Sequence, residues 1–324
     1  MNKKLSFVLV VVLMLGLLVS PALAENIRVG LILAEGGLGD QSFNDAAYRG
    51  LMQAEEELGI EVNFVEPADI PEMEDHQRAY ADEEYDLVIA IGFVQESALM
   101  EVSADYPHIN FAIVDTVVDS PNVTSLVFEE HEGSFLVGVV AGLMTQSNKV
   151  GFVGGMEVPL IRKFQVGFEE GVKYVNPEAQ VFVNYAGDFA DPGKGRELAV
   201  SQNERGADII YHAAGGTGLG VIDAAKANGF FAIGVDSDQD HLAPGTVLTS
   251  MIKRVDLAVF ETIKSLVEGN LESGIRSFGI AEDGVGTSEF KFTKDLVPQS
   301  VLDAVEEAKA KIASGEIVVT DPTK

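Results

Sequence analysis

Ile27-Arg28-Val29-Gly30-Leu31-Ile32-Leu33 is a short apolar run, and an amphipathic stretch carrying Phe43 and Gly50 follows it. Lys149-Val150-Gly151-Phe152-Val153 repeats the pattern with Phe164 and Gly171 behind it, so that Val29-Gly30, Phe43 and Gly50 all recur 121 positions later. Asp86 precedes another apolar run as Asp208 precedes its counterpart. Phe111-Ala112-Ile113 matches Phe231-Ala232-Ile233, with Asp115 and Asp236 closing the two runs. A nearly constant offset in a constant order predicts two copies of one structural unit.

Within each copy, β-branched runs alternate with helical patterns. Strands are expected at 27–33, 61–65, 87–91 and 111–114, with helices at 43–58, 72–83 and 96–104 between and after them. The second copy predicts strands at 149–153, 181–184, 209–211 and 231–235, and helices at 164–175, 193–204 and 219–228. Such alternation makes parallel sheets with right-handed crossovers and helices on both faces. The expected fold is α/β, two doubly wound parallel-sheet lobes joined by a hinge. Ligands of such folds sit outside the carboxyl ends of the strands, here in a crevice between lobes.

The crossings follow from the segments left over. Residues 123–128 cross first and lead to a helix at 132–144; residues 246–251 lead back to a helix at 255–268. A third crossing near 281–286 sends Phe290-Lys291-Phe292 and a helix at 300–312 to the second lobe. The expected lobes are therefore 25–127 plus 253–283, and 128–252 plus 284–324. No Gly/Ser-rich or Pro-rich linker marks these crossings, which predicts short hinges.

Composition narrows the function. The 324 residues hold 51 Asp and Glu against 22 Lys and Arg, a net charge of −29, which disfavours nucleic acid as a partner because that affinity rests on cations meeting phosphates. There is no Cys, which excludes disulfides, thiolate metal sites, a Cys nucleophile and lipidation at Cys. Lys3 and Lys4, an apolar run over 5–19 and Ser20-Pro21-Ala22-Leu23-Ala24 form a secretory signal pattern over residues 1–24. Its removal leaves a charge of −31 and implies a periplasmic protein without an anchor, expected to be monomeric. The five histidines show no metal-ligand spacing and no G-x-S-x-G elbow occurs, so neither an enzyme, a metal nor a cofactor is expected.

The candidate site residues lie at strand ends. After the first strand, Glu35-Gly36-Gly37-Leu38-Gly39-Asp40-Gln41-Ser42-Phe43-Asn44 offers hydrogen bonds from Asp40 and Asn44 and a flat face from Phe43. Phe43 also reads as a core residue, because Phe164 stands at the same place in the repeat. Asp115 and Asp236 present carboxylates that suit adjacent sugar hydroxyls, and Lys253 adds a cation. Phe189 precedes a helix and offers a second aromatic face. Gly215-Gly216-Thr217-Gly218 opens another helix, whose N–H groups suit an electron-rich ligand atom.

Together, Asp40-x-x-Phe43-Asn44, Gly154-Gly155-Met156, Phe164-x-x-Gly167-Phe168-x-x-Gly171, Asp188-Phe189-x-Asp191, Gly234-Val235-Asp236-x-Asp238-Gln239 and Ser250-Met251-x-Lys253-x-x-Asp256 resemble the basic membrane protein family of bacterial substrate-binding proteins. The likeness runs in order through residues 27–290. It implies a type I periplasmic binding protein fold and a binding protein feeding an ABC permease of the inner membrane, with purine nucleosides among the family's ligands. On that resemblance Phe43 and Phe189 stack the base and Asp40 and Asn44 read its edge. Asp115, Gly216, Asp236 and Lys253 hold the ribose. The family also contains riboflavin-type binders and regulators. Its members commonly carry a lipidated Cys at the processing site, where this chain has Ala24-Glu25.

Overall fold

The structure, a computed structural model, describes residues 27–324; the expected signal segment lies outside the described residues. The first sheet is built from β1 (Arg28–Ile32), β2 (Glu61–Val65), β3 (Leu87–Ile91), β4 (Asn110–Val114), β5 (Val123–Phe128) and β11 (Gly274–Phe278). The second holds β6 (Lys149–Gly154), β7 (Gln180–Tyr185), β8 (Ile209–Ala213), β9 (Phe231–Asp236), β10 (Val247–Lys253) and β12 (Val285–Thr287). Their orders, β11-β5-β4-β3-β1-β2 and β12-β10-β9-β8-β6-β7, are the same order written twice. All pairings are parallel except β12 on β10. The central strands β3 and β8 are buried along their whole length, as a sheet covered on both faces requires.

The helices of the two copies start for matching reasons. In the first copy α1 (Phe43–Leu58), α2 (Ile70–Asp82) and α3 (Glu96–Asp105) follow the strands; in the second, α5 (Pro159–Val175), α6 (Pro192–Glu204) and α7 (Thr217–Asn228) do so. Asp69 caps α2 by accepting from the Glu72 N–H, and Asp191 caps α6 by accepting from the Lys194 N–H, each with a proline in the first turn. Gly59 and Gly229 end α1 and α7 at φ 68° and 78°, where the left-handed conformation favours glycine. Helix α5 begins five residues before the expected position because Pro159 opens it after an extended Val158.

The remaining helices are α4 (Glu130–Met144), α8 (Val255–Val267) and α9 (Gln299–Ala313). The chain passes between sheets after β5, after β10 and between β11 and β12. Two expected boundaries move by one residue, because pairing continues to the strand ends. Phe128 pairs with Phe278 in the first sheet, and Lys253 pairs with Val285 in the second. Phe290 lies in a turn at φ 56°, buried against the second lobe's core.

Each lobe receives the helix that follows the fifth strand of the other lobe. Strand β5 of the first sheet delivers α4 onto α5, while β10 of the second delivers α8 onto α1. The repeated glycine explains how closely these helices approach. A Cβ on Gly171 of α5 would fall inside contact distance of the Phe135 carbonyl in α4, and one on Gly50 of α1 would meet the Asp256 carbonyl in α8. Backbone cannot yield as a flexible side chain does, so Gly171→Ala and Gly50→Ala are each expected to lower the unfolding free energy by about 1–3 kcal/mol. Gly286→Ala, with open space around it, should stay within about 0.5 kcal/mol of the wild type. Urea denaturation of the three variants checks this.

Candidate functional site

A cavity of about 260 Å³ lies between the lobes at the carboxyl ends of the strands. All eight residues singled out from the sequence line it: Asp40, Phe43, Asn44 and Asp115 from the first lobe, and Phe189, Gly216, Asp236 and Lys253 from the second. Phe93 and Phe164 also line it. Phe93 was not anticipated, although Gly92-Phe93 ends β3 at the position where Ala214-Gly215 ends β8, and strand ends are where such sites form. Phe164 has both roles weighed for its twin Phe43, since it is buried in the core and faces the cavity.

Two candidates are also committed to their own loop. Asp40 accepts from the backbone N–H of Ser42, Asn44 and Asp45 at 2.8, 2.8 and 3.2 Å, which secures the first turn of α1. Asn44 Oδ1 accepts from the Ala34 N–H at 2.9 Å and so ties α1 to the end of β1. Burial pushes the Asp40 carboxyl above the usual carboxylate range, with those three N–H groups opposing it. A carboxylate has about four acceptor positions, so Asp40 keeps one for another donor.

The aromatic faces come from both lobes. Phe43 opens α1, and Phe189 lies directly over Gly155, where any side chain would enter its ring. Phe189 also stands edge-to-face with Phe93 across the cleft, with ring centroids 6.5 Å apart. Gly216 stands just before α7 with a Cβ position only 3.3 Å from the Phe189 carbonyl, so a larger residue would crowd this wall.

The polar wall is built from repeat-related strand ends. Asp115 and Asp236 follow β4 and complete β9 at φ 74° and 62°, in the left-handed region that non-glycine residues rarely occupy. Strain of this kind persists where the surroundings over-determine it, commonly at binding sites. Lys253 ends β10 almost wholly enclosed, with Nζ 2.6 Å from Asp115 Oδ1 and 3.1 Å from Glu130 Oε1. The rings of Phe128, Phe43 and Phe164 lie 5.0, 5.2 and 5.4 Å from the ammonium. Glu130, the first residue of α4, also meets Lys163 Nζ at 2.5 Å.

Burial works against each of these charges, yet their mutual attraction keeps the central pair ionised. Burial alone would lower the Lys253 pKa, but Asp115, Glu130 and Asp236 hold it above the ordinary lysine value. Burial alone would raise Glu130, but Lys253 and Lys163 hold it below the usual glutamate range. Asp236 differs. Burial pushes its carboxyl up to about 7, with the Lys253 ammonium opposing and Asp115 adding to the rise.

Asp236 also belongs to a clasp between lobes. Ser42 Oγ donates to Asp236 Oδ2 at 2.5 Å, Ser237 Oγ donates to the Ser42 carbonyl at 3.1 Å, and Arg49 reaches Ser237 Oγ at 2.8 Å. Gln239 Nε2 donates to the Gln41 carbonyl at 3.1 Å, and its Oε1 accepts from Val235 N–H and lies 3.0 Å from His212 Nε2. Burial lowers His212 to about 4, so it stays neutral and donates from Nε2. The lobes are closed on one another.

Two repeated α/β lobes closing over an aromatic and ionic cavity at the carboxyl ends of parallel strands define a type I periplasmic binding protein. The chain belongs to the Bmp family, described as ABC transporter substrate-binding protein PnrA-like, which it matches over residues 27–322. It is 39% identical to a CD4+ T-cell-stimulating antigen of Listeria monocytogenes, over 92% of this chain and 89% of that protein. It is 33% identical to an uncharacterized lipoprotein of Pyrococcus abyssi (92% and 85% covered), and 31% identical to the ABC transporter nucleoside-binding protein BmpA of Lactococcus lactis (91% and 89% covered). The crystal structure of an ABC transporter solute-binding protein from Aeropyrum pernix superposes with a TM-score of 0.84 at 32% identity, covering 91% of this chain and 94% of that one.

Membership makes the protein an extracytoplasmic substrate-binding component, not an enzyme, with a small-molecule ligand and a permease partner. Among the described residues no helix is long and apolar enough to cross a membrane. The lipoprotein name of the Pyrococcus relative stands against the expectation of an untethered protein, which rests on the lack of Cys in this sequence.

The buried charges make two predictions. Lys253→Met leaves Asp115 without its cation beside a Glu130 held by Lys163 alone, and is expected to cost about 3–5 kcal/mol of stability at pH 7; adding Asp115→Asn should recover part of that loss in urea denaturation. Folded Asp236 holds its proton to about pH 7, whereas its ordinary value is 3.8. The folded state therefore binds more protons between these values, and this carboxyl lowers stability as pH rises through that window. In ligand-free protein Asp236→Asn should gain on the wild type from pH 4 to pH 7, by up to about 1.4 kcal/mol per unit, and no further above it.

Proposed function

We propose that the protein captures a purine nucleoside in the periplasm and delivers it to an ABC permease of the inner membrane, acting as a monomer released from its signal segment. One observation carries this reading: flat aromatic faces from both lobes share a cavity with two strand-end carboxylates and a lysine. A nucleoside has matching halves, a planar base and a ribose with adjacent hydroxyls. Phe43 and Phe189 stack the base, each face contributing about 1–3 kcal/mol. The spare lone pair of Asp40 and the amide of Asn44 meet the base edge. Asp115, Gly216, Asp236 and Lys253 hold the ribose, with hydroxyls donating to the carboxylates and accepting from the ammonium. The nucleoside-binding name of the Lactococcus relative supports the same reading.

Contacts from both lobes favour the closed form over the open one, and the permease recognises that closed form. A ligand shifts this balance only by its difference in affinity between the two forms. The cross-lobe bonds at Ser42 and Gln239 lower the cost of closing before any ligand arrives.

Isothermal titration of refolded, ligand-stripped protein with adenosine, guanosine, inosine, riboflavin and ribose tests the reading. Micromolar or tighter binding of at least one purine nucleoside is expected; binding of none, or of riboflavin alone, refutes it. Asp236→Ala should weaken nucleoside binding at least about tenfold more than free-base binding, a difference of about 1.4 kcal/mol. Equal losses would remove the ribose role of that residue.

A further inference from the structure

A second pocket lies outside the cleft, where the first crossing between lobes meets the C-terminal segment; Glu129, His131 and Asp321 line it. The histidine spacing in the sequence gave no expectation of a metal centre, yet folding unites one of the five histidines with two distant carboxylates. One nitrogen or oxygen from each of these three residues lies within 4.8 Å of the other two.

His131 is the informative member. It is 5% exposed, and its Nδ1 has no hydrogen-bond partner among the described residues. Its Nε2 is 3.6 Å from Glu129 Oε2, beyond hydrogen-bond reach. With neither ring nitrogen hydrogen-bonded among the described residues, a neutral imidazole protonated at Nδ1 keeps the Nε2 lone pair, on the side of the ring toward Glu129, free for a strong partner. The carboxylates are held from behind: Ser277 Oγ donates to Glu129 Oε1 at 2.7 Å, and Thr323 donates to Asp321 Oδ1 from N at 2.9 Å and from Oγ1 at 2.6 Å. Their other oxygens, Glu129 Oε2 and Asp321 Oδ2, share one cation, the Lys324 ammonium, at 3.6 and 3.2 Å. The Lys324 side chain is 72% exposed, so little holds it there.

We propose that Glu129, His131 and Asp321 form a binding site for a divalent transition-metal ion of the zinc class, which displaces the Lys324 ammonium. One imidazole nitrogen and two carboxylate oxygens give three protein ligands and leave a position for water. An imidazole selects for zinc-class ions over magnesium and calcium, which take oxygen ligands. Metal bonds of about 2.0–2.2 Å require the donors to draw together, and departure of the ammonium frees both carboxylates to do so. Glu129 sits at the crossing itself, its N–H bonded to the Phe278 carbonyl of β11 at 3.1 Å. An ion here would therefore fasten the crossing segment to the C-terminal segment without entering the ligand cleft.

Calorimetric titration of the exported protein with zinc chloride, without nucleoside, tests the site. One ion per chain with a micromolar or tighter Kd is expected. His131→Gln and Asp321→Asn should each weaken binding at least about tenfold, while Lys324→Ala should tighten it severalfold. Circular dichroism confirms that the variants fold, and Asp321→Asn tests the site independently of the buried histidine. No zinc uptake at millimolar concentration, or binding that both ligand variants leave unchanged, overturns the proposal. Magnesium binding as tightly as zinc overturns the assigned metal class, and unchanged affinity in Lys324→Ala overturns the displacement.

Discussion

The ammonium of Lys253 is enclosed by protein and kept charged by acids that arrive from elsewhere in the chain. Asp115 comes from the end of β4 and Glu130 from the start of α4, and both are needed because an unpaired buried charge costs several kcal/mol. Meeting that requirement fixes three things together. Strand β10 must run to its last residue inside the second sheet, α4 must begin directly after the first crossing, and the strand-end loop at Asp115 must reach across the cleft. The polarity of the cavity, the place of the hinge and the closeness of the lobes follow from one ion cluster.

The scaffold is symmetric, but its charges are not. Asp115 and Asp236 are equivalent in the repeat and share the same unusual backbone conformation. One pairs with Lys253 while the other accepts from Ser42. Just before the repeated phenylalanine, one copy has Ser42 and the other Lys163. Ser42 joins the clasp between lobes, and Lys163 neutralises the second oxygen of Glu130. Duplication supplied two similar faces, and substitutions at matched positions turned one toward closure and the other toward charge balance. Four phenylalanines around the same space keep it low in dielectric, which strengthens each of these contacts.

Much of this was legible in the sequence because it follows from periodicity. Strands β2 and β3 lie at their expected bounds, since buried parallel strands are short apolar runs set between polar turns. The eight candidate residues come together around one cavity because the loops that carry them lie at the carboxyl ends of the parallel strands, which face each other across the cleft. Strand β11 was missed for a physical reason: Gly274-Ile275-Arg276-Ser277-Phe278 is an edge strand, with Ile275 63% exposed, and it has no apolar run to announce it. Glu130 was invisible as a partner of Lys253 because it lies before the helix expected at 132–144, where one acid among 51 carries no signal of its own. Its real partner is 123 positions away, and only the fold brings them together. The capping role of Asp40 was foreseeable in kind but not in extent, since three N–H groups converge on one carboxylate.

The traded helices have a consequence for how the chain is made. The first lobe lacks α8 and its edge strand until residue 278 has been synthesised, although its other strands are complete by residue 128. Chains emerge at about 5–20 residues per second, so roughly 150 residues of further synthesis leave the α1 face around Gly50 without its cover for seconds. Neither lobe can be completed alone, and a break in the chain between β5 and β10 would leave two incomplete pieces where the repeat alone would promise two domains. The internal duplication is thus a single folding unit, and a nascent chain of this design reaches its native state only near its end.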